Sequence, residues 1–202
     1  MKIRAVLWGS EIPMIRKAAE ATGIDVQCWA TFRLKNPEVL TACRHDLTSA
    51  DLILLHPTQD AYWDDLIPGL DPGIPVVSFG YDQSLWAPST VPLKTVATVN
   101  AYFTYGGQAN MENLLRYLAA ECLGVGLHYD PPAKDLWEGI YHPDAPAAYP
   151  GVDEYRSWYG HRHEKTVGIL FYRLYWVNQD LAAIDALIRE FERDMDVIAV
   201  FS

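Results

Sequence analysis

Few residues in this chain have types and spacings that could do chemistry. His142 stands in the run Gly139-Ile140-Tyr141-His142-Pro143-Asp144-Ala145-Pro146, where an imidazole followed by a proline and an acid could ligate a metal ion. The same ring could equally hold a turn through hydrogen bonds from its two nitrogens. His161-Arg162-His163 places two imidazoles two residues apart, a spacing that does not bring both onto one helix face, and no third ligand is evident nearby. A solvated turn is the expectation there. Cys28 and Cys43, with His45 close to the second, read as small buried thiols. No pair of acids has a spacing that demands acid–base work. Ser10 and Ser78 lack the sharp strand-to-helix turn of an activated nucleophile. There is no GxxxxGK[ST] phosphate loop, and Gly106-Gly107 lacks the GxGxxG spacing, so it reads as a turn between helices.

The whole chain has 202 residues and a formal net charge of -10, which argues against a nucleic-acid partner, since such a protein needs a basic face. Half the residues are hydrophobic, so a packed core is expected. Three scattered cysteines imply reduced thiols and a cytoplasmic setting. No apolar stretch reaches the roughly 20 residues that span a bilayer, and the first residues have too short an apolar run for a signal peptide.

The elements that position these residues follow an alternating pattern. Ile3–Trp8, Asp25–Ala30, Asp51–Pro57 and Ile74–Phe79 read as strands. Helices fall between them: one capped by Ser10 and closed at Gly23, one started by Asn36-Pro37-Glu38, and a short one over 61–67. Strict alternation predicts an α/β fold, a Rossmann-like doubly wound parallel sheet, over residues 1–125. Two helical segments carrying Tyr102 and Leu114 to Leu118 complete that domain. Residues 126–165, rich in Pro, Tyr, Trp and His, show few helix or strand periods and read as an irregular connector. Its rings, among them Trp137, Tyr141, Tyr149, Tyr155, Trp158 and Tyr159, are expected to pin it to a domain beneath. Residues 166–202 read as strand, amphipathic helix, strand: the first β-α-β unit of a second α/β domain. One such unit leaves open sheet edges, so a truncated domain is expected.

Three stretches resemble the large subunit of cobaltochelatase (CobN) and the related large subunit of magnesium chelatase. They are Tyr105-Gly106-Gly107-Gln108-Ala109-Asn110-Met111-Glu112-Asn113-Leu114-Leu115-Arg116-Tyr117-Leu118, the Gly139–Pro146 run followed by Tyr155 and Trp158-Tyr159, and Val167–Arg173 with Trp176, Ile184–Ile188 and Val200-Phe201-Ser202. Their order matches the family's N-terminal region. The resemblance implies a head fragment of a large chelatase subunit that takes part in ATP-dependent insertion of cobalt or magnesium into a tetrapyrrole, as in cobalamin synthesis. It further implies that ATP and Mg2+ are handled by separate AAA+ partner subunits, that the divalent metal is a substrate, and that this chain alone binds no cofactor. The parent protein would be a metal chelatase; the fragment alone is expected to be inactive. Tyr141, His142, Arg116 and Arg173 are the candidate contacts to the macrocycle, the arginines through its acidic side groups. An alternative is a stand-alone Rossmann-like module for a small anionic ligand or a partner, with Gly9, Ser10, Gly80, Tyr81 and Asp82 lining its crevice.

Overall fold

The computed structural model describes residues 1–134 and 136–202, so Asp135, inside the expected connector, lies outside the described residues. The chain divides into two compact units, Met1–Ala133 and Lys134–Ser202.

The first unit is an α/β layer structure around four parallel strands: β1 (Lys2–Leu7), β2 (Asp25–Ala30), β3 (Leu52–Leu55) and β4 (Val76–Ser78). Their order is β2-β1-β3-β4. β1 and β3 are central and buried on both faces, which is why β3 reads as an unbroken apolar run and β1 is interrupted only by Arg4, which pairs with Asp25 and Asp46. Passing from β1 to β2 and then back past β1 to β3 reverses the direction of travel. Right-handed crossovers therefore put helix α1 (Ile12–Thr22) and helix α2 (Pro37–Leu47) on opposite faces. On the α2 face, Cys43, Leu47 and the side chains of α3 (Tyr62–Leu66) pack on Val6, Ile53, Leu55 and Val76. On the other, α1 packs against α5 (Gln108–Leu123), which follows α4 (Leu93–Tyr105).

Local signals account for most element ends. Asn36 caps α2, its Oδ1 accepting from the Glu38 and Val39 amides at 2.8 and 3.3 Å. Gly23 and Gly124 close α1 and α5 in the left-handed conformation. The start of α1 differs from expectation. Glu11, not Ser10, occupies the cap position, and its carboxylate turns back to accept from the Trp8 amide at 2.9 Å instead of capping the helix.

The second unit holds a three-stranded mixed sheet of order β5-β7-β6: β5 (Gly139–Tyr141), β6 (Thr166–Phe171) and β7 (Asp196–Phe201). β6 and β7 run parallel, joined through α7 (Arg173–Val177) and α8 (Ala182–Phe191), while β5 is antiparallel to β7. Where the sequence suggests an irregular connector over 126–165, residues 139–141 form β5 and Val152–Tyr159 forms α6. α8 covers one face through Ile184 and Ile188 against Val197, Ala199 and Phe201. α6 covers the other through Tyr155 and Tyr159 against Ile140, Ile198 and Val200. Among the described residues no helix is long and apolar enough to cross a membrane.

Candidate functional site

The residues of the Gly139–Pro146 run sit where β5 leaves the second sheet, close to the carboxyl end of α8 and flanked by α6. Gly139 opens it because nothing larger fits. A Cβ there would stand 2.8 Å from the Phe201 ring and 3.1 Å from the Tyr149 carbonyl oxygen. Along β5, side chains alternate between faces: Ile140 enters the α6 cluster and Tyr141 the α8 side, where its hydroxyl donates to Asp185 at 2.9 Å. Burial and that carboxylate push the Tyr141 phenol up to about 12, so it remains a protonated donor.

His142 is buried, 2% exposed, among Trp158, Tyr159 and Tyr155. Its Nδ1 accepts from the Asp144 amide at 3.1 Å, which places the ring proton on Nε2. Nε2 then donates to Glu192 Oε1 at 3.0 Å. Glu192, just past the end of α8, is the hub. Its carboxylate also meets Arg162 at 3.5 Å and Arg189 at 3.1 Å. Burial opposes its ionisation, but the hydrogen bonds it accepts from His142, Arg189 and Tyr159 outweigh this and hold its carboxyl below the ordinary range. Arg189 reaches on to Asp144 with both terminal nitrogens, lowering that carboxyl too. Arg162 lies over the Tyr159 ring at 4.4 Å.

A second carboxylate anchors the following loop. Asp196, 4% exposed at the start of β7, accepts from the Arg162 and His163 amides at 3.0 Å each and pairs with His161 Nδ1 at 3.0 Å. Its burial favours the neutral acid, yet those donors prevail and its carboxyl is lowered. His163 Nε2 bonds the Glu192 carbonyl oxygen at 3.0 Å. The two histidines of the His-Arg-His run thus serve different partners. Among the described residues there is no cluster of three or more His, Cys, Asp or Glu fit to hold a metal.

Of the four sequence-nominated contacts, the structure sets His142 and Tyr141 side by side with different partners. Arg173, at the carboxyl end of β6, donates from Nε to the Leu136 carbonyl at 2.8 Å and covers the Trp137 ring at 4.8 Å. Arg116 belongs to the first unit, on α5, and pairs with Glu112 one turn earlier at 3.3 Å. Glu192, Arg189, Arg162 and Asp196 do not stand out in the sequence. The chemical consequence is clear: both His142 nitrogens are engaged, and its neighbours hold each other in place. The arrangement fixes the shape of the turn after β5.

The first stretch of the resemblance has a comparable role. Asn110, buried at the start of α5, donates from Nδ2 to the Gly106 and Ala133 carbonyls at 2.7 and 2.8 Å, and its Oδ1 accepts from the Ala133 amide at 2.9 Å. Asn113 accepts from the Asp130 amide at 3.1 Å, and Tyr102 donates to the Asp130 carbonyl. These three side chains strap residues 130–133 onto α4 and α5.

The crevice at the carboxyl ends of the first sheet is furnished differently from an anion site. Glu11 Oε1 meets His56 Nδ1 at 2.8 Å, and His56 stacks between Trp8 at 4.3 Å and Phe79 at 4.4 Å. A carboxylate thus stands where an anionic ligand at the α1 terminus would need to be. Asp82 caps a single helical turn through the Ser84 amide at 2.8 Å, and Tyr81 is exposed. The thiols of Cys28 and Cys43 are buried and pushed up by desolvation to about 11 and about 12.

Comparison with known proteins adds identity to this geometry. A family model described as CobN/Magnesium Chelatase matches residues 100–202, just over half of the chain. Over an alignment of 206 positions that covers the whole chain, it is 27% identical to an uncharacterised protein of Methanocaldococcus jannaschii, of which it spans 15%. It is 31% identical over 112 residues to the chloroplastic magnesium-chelatase subunit ChlH of Oryza sativa subsp. japonica, covering 48% of this chain and 8% of that one. Its fold matches the catalytic subunit of cobaltochelatase from Mycobacterium tuberculosis with a TM-score of 0.62 at 20% identity, over 98% of this chain and 16% of that chain. It therefore spans a small fraction of the proteins it matches. The matched segment contains the Asn110 strap, the His142–Glu192 network and the whole of the second sheet, and the chain belongs to the CobN/magnesium chelatase family.

Proposed function

We propose that this chain is the head of a chelatase large subunit and that it frames part of the cleft in which a tetrapyrrole receives its metal. The observation that carries the reading is the buried His142–Glu192–Arg189–Asp144 network, built on the run that resembles the family and inside the matched segment. Its side chains are paired with one another, so its contribution is positional: it holds Tyr141 and the turn that follows at a fixed place at the end of β5. Cobalt or magnesium would be a substrate of the whole subunit, brought to a macrocycle that the rest of the protein completes. ATP with Mg2+ would be consumed by AAA+ partner subunits. The chain alone would bind the ring weakly and insert no metal.

The test is a titration of the purified chain with a metal-free corrin and, separately, with a metal-free porphyrin, followed by absorbance. A saturable spectral shift supports the reading, and its preference between rings assigns the cobalt or magnesium branch. No shift with either ring, at concentrations that saturate a full-length family member, removes the tetrapyrrole from this part of the protein. A small-anion module is the weaker reading, because the Glu11 carboxylate already sits at the terminus of α1.

A further inference from the structure

The second sheet is finished on one side and open on the other. β5 closes one edge, whereas β6, among the described residues, pairs with β7 alone. The Phe171 carbonyl and the Arg173 amide point to β7, through bonds with Ser202 at 3.3 and 3.0 Å, as does the Lys165 carbonyl with Asp196 at 2.8 Å. Strand alternation then turns the amides and carbonyls of Thr166, Gly168 and Leu170 toward the free edge. The side chains show the same asymmetry. Val167, Ile169 and Phe171 face α8, while Leu170, on the side opposite α8, is 77% exposed. Tyr172 is 76% exposed and Tyr175 45% exposed. Leu170, Phe171, Tyr172, Tyr175 and Ser202 line a groove of about 570 Å³. Parallel strands with one bare face are rare, because crossover helices normally cover both.

Handedness says what fits there. The right-handed passage from β6 to β7 places α8 on one face. A helix leaving β7 for a new strand beyond β6 travels the opposite way, so a right-handed passage must lay it on the other face. That face already carries α6 over β5 and β7, leaving the strip above Leu170 as the open lane.

We infer that the free edge of β6 and the Leu170 strip receive a helix–strand unit of the same polypeptide, the helix over Leu170 and the strand parallel to β6, in proteins of the relatives' length. The occupant is favoured over a second copy by proportion: this chain spans 15% of the Methanocaldococcus protein and 16% of the solved cobaltochelatase subunit, so most of each relative lies outside the matched part. The inference rests on family membership and not on tetrapyrrole binding, so the two fail separately.

The experiment is amide hydrogen exchange on this chain and on the chain continued at Ser202 with the segment that follows the matched region in the Methanocaldococcus protein. In the 202-residue chain, the Thr166, Gly168 and Leu170 amides should exchange as open-edge groups. In the continued chain they should slow by at least about 100-fold, while Val197 and Ala199 stay protected in both. Leu170→Lys should leave the short chain's melting unchanged and abolish the added protection. Unchanged fast exchange at the three amides beside a protected β7 overturns the inference. So does concentration-dependent protection in the short chain, which would make a second copy the occupant. A chimera that fails to fold is bypassed by maleimide labelling. Leu170→Cys should react in the short chain, whereas the same change at the matching position of the full-length Methanocaldococcus protein should not; reaction in both also overturns it.

Discussion

Replacing His142 by Phe keeps a ring of similar size among Trp158, Tyr159 and Tyr155 and deletes both hydrogen bonds. The bond to Glu192 goes to a carboxylate only 13% exposed, and such charge-assisted bonds contribute about 1.5–3 kcal/mol. Leaving the Asp144 amide without its acceptor adds about 1 kcal/mol, so His142→Phe should cost about 3 kcal/mol. Glu192→Gln retains an acceptor for His142 but surrenders the charge that faces Arg189 and Arg162, a loss of about 1.5 kcal/mol after allowing for the half-exposed guanidiniums. Because Glu192→Gln also turns the bond it shares with His142 from charge-assisted to neutral, a weakening of about 1 kcal/mol, the double variant should fall short of additivity by about that amount. Urea unfolding followed by tryptophan fluorescence measures all three, with unchanged m values as the check that only stability has moved. Additive effects, or a His142→Phe cost below about 0.5 kcal/mol, would refute the claim that this network holds the turn together.

The same network sets a pH dependence. The Glu192 and Asp196 carboxyls are lower in the folded protein than their ordinary values of 4.5 and 3.8, so their stabilisation is present above those values and lost as pH falls through the folded ones. Urea midpoints should therefore hold from pH 7 to about 5 and drop below about 4.5, with a shallower drop in Glu192→Gln. Gly139→Ala should destabilise by about 1–3 kcal/mol, since its methyl would press on Phe201 and the Tyr149 backbone; thermal melting reads this directly. Asn36→Ala removes a two-amide cap and should cost about 1 kcal/mol by the same assay. A thiol reagent at neutral pH should leave Cys28 and Cys43 unmodified until the chain is unfolded, because both are buried and their thiolates disfavoured.

The parts of this molecule legible in its sequence are those set by neighbours along the chain. β1, β3 and β4 announce themselves as short, largely apolar runs and β2 by its alternation, and Asn36, Gly23 and Gly124 mark helix ends because caps act over three or four residues. β5 does not, since three residues carry no period, and it exists because Gly139 pairs with Phe201, far along the chain. α6 is hidden in a stretch crowded with prolines and rings. The site was legible only by half. Tyr141 and His142 stand out in their run, yet their partners are remote: Glu192 is 50 residues from His142, and Asp185 is 44 from Tyr141. An acid near the end of an amphipathic helix looks like any solvated carboxylate until the fold closes over it. Likewise Asp196, which organises the His161–His163 turn from the first position of β7, has no signal of its own.

The measurement that bears most directly on the proposed role is the tetrapyrrole titration, run with melting temperature beside absorbance and with His142→Phe beside the parent chain. Framing part of the cleft predicts a saturable absorbance shift accompanied by a rise in melting temperature, both weakened in His142→Phe, whose turn is no longer held. If neither signal appears in a chain that melts cooperatively, the head contributes no surface to the ring, and the proposed role is contradicted.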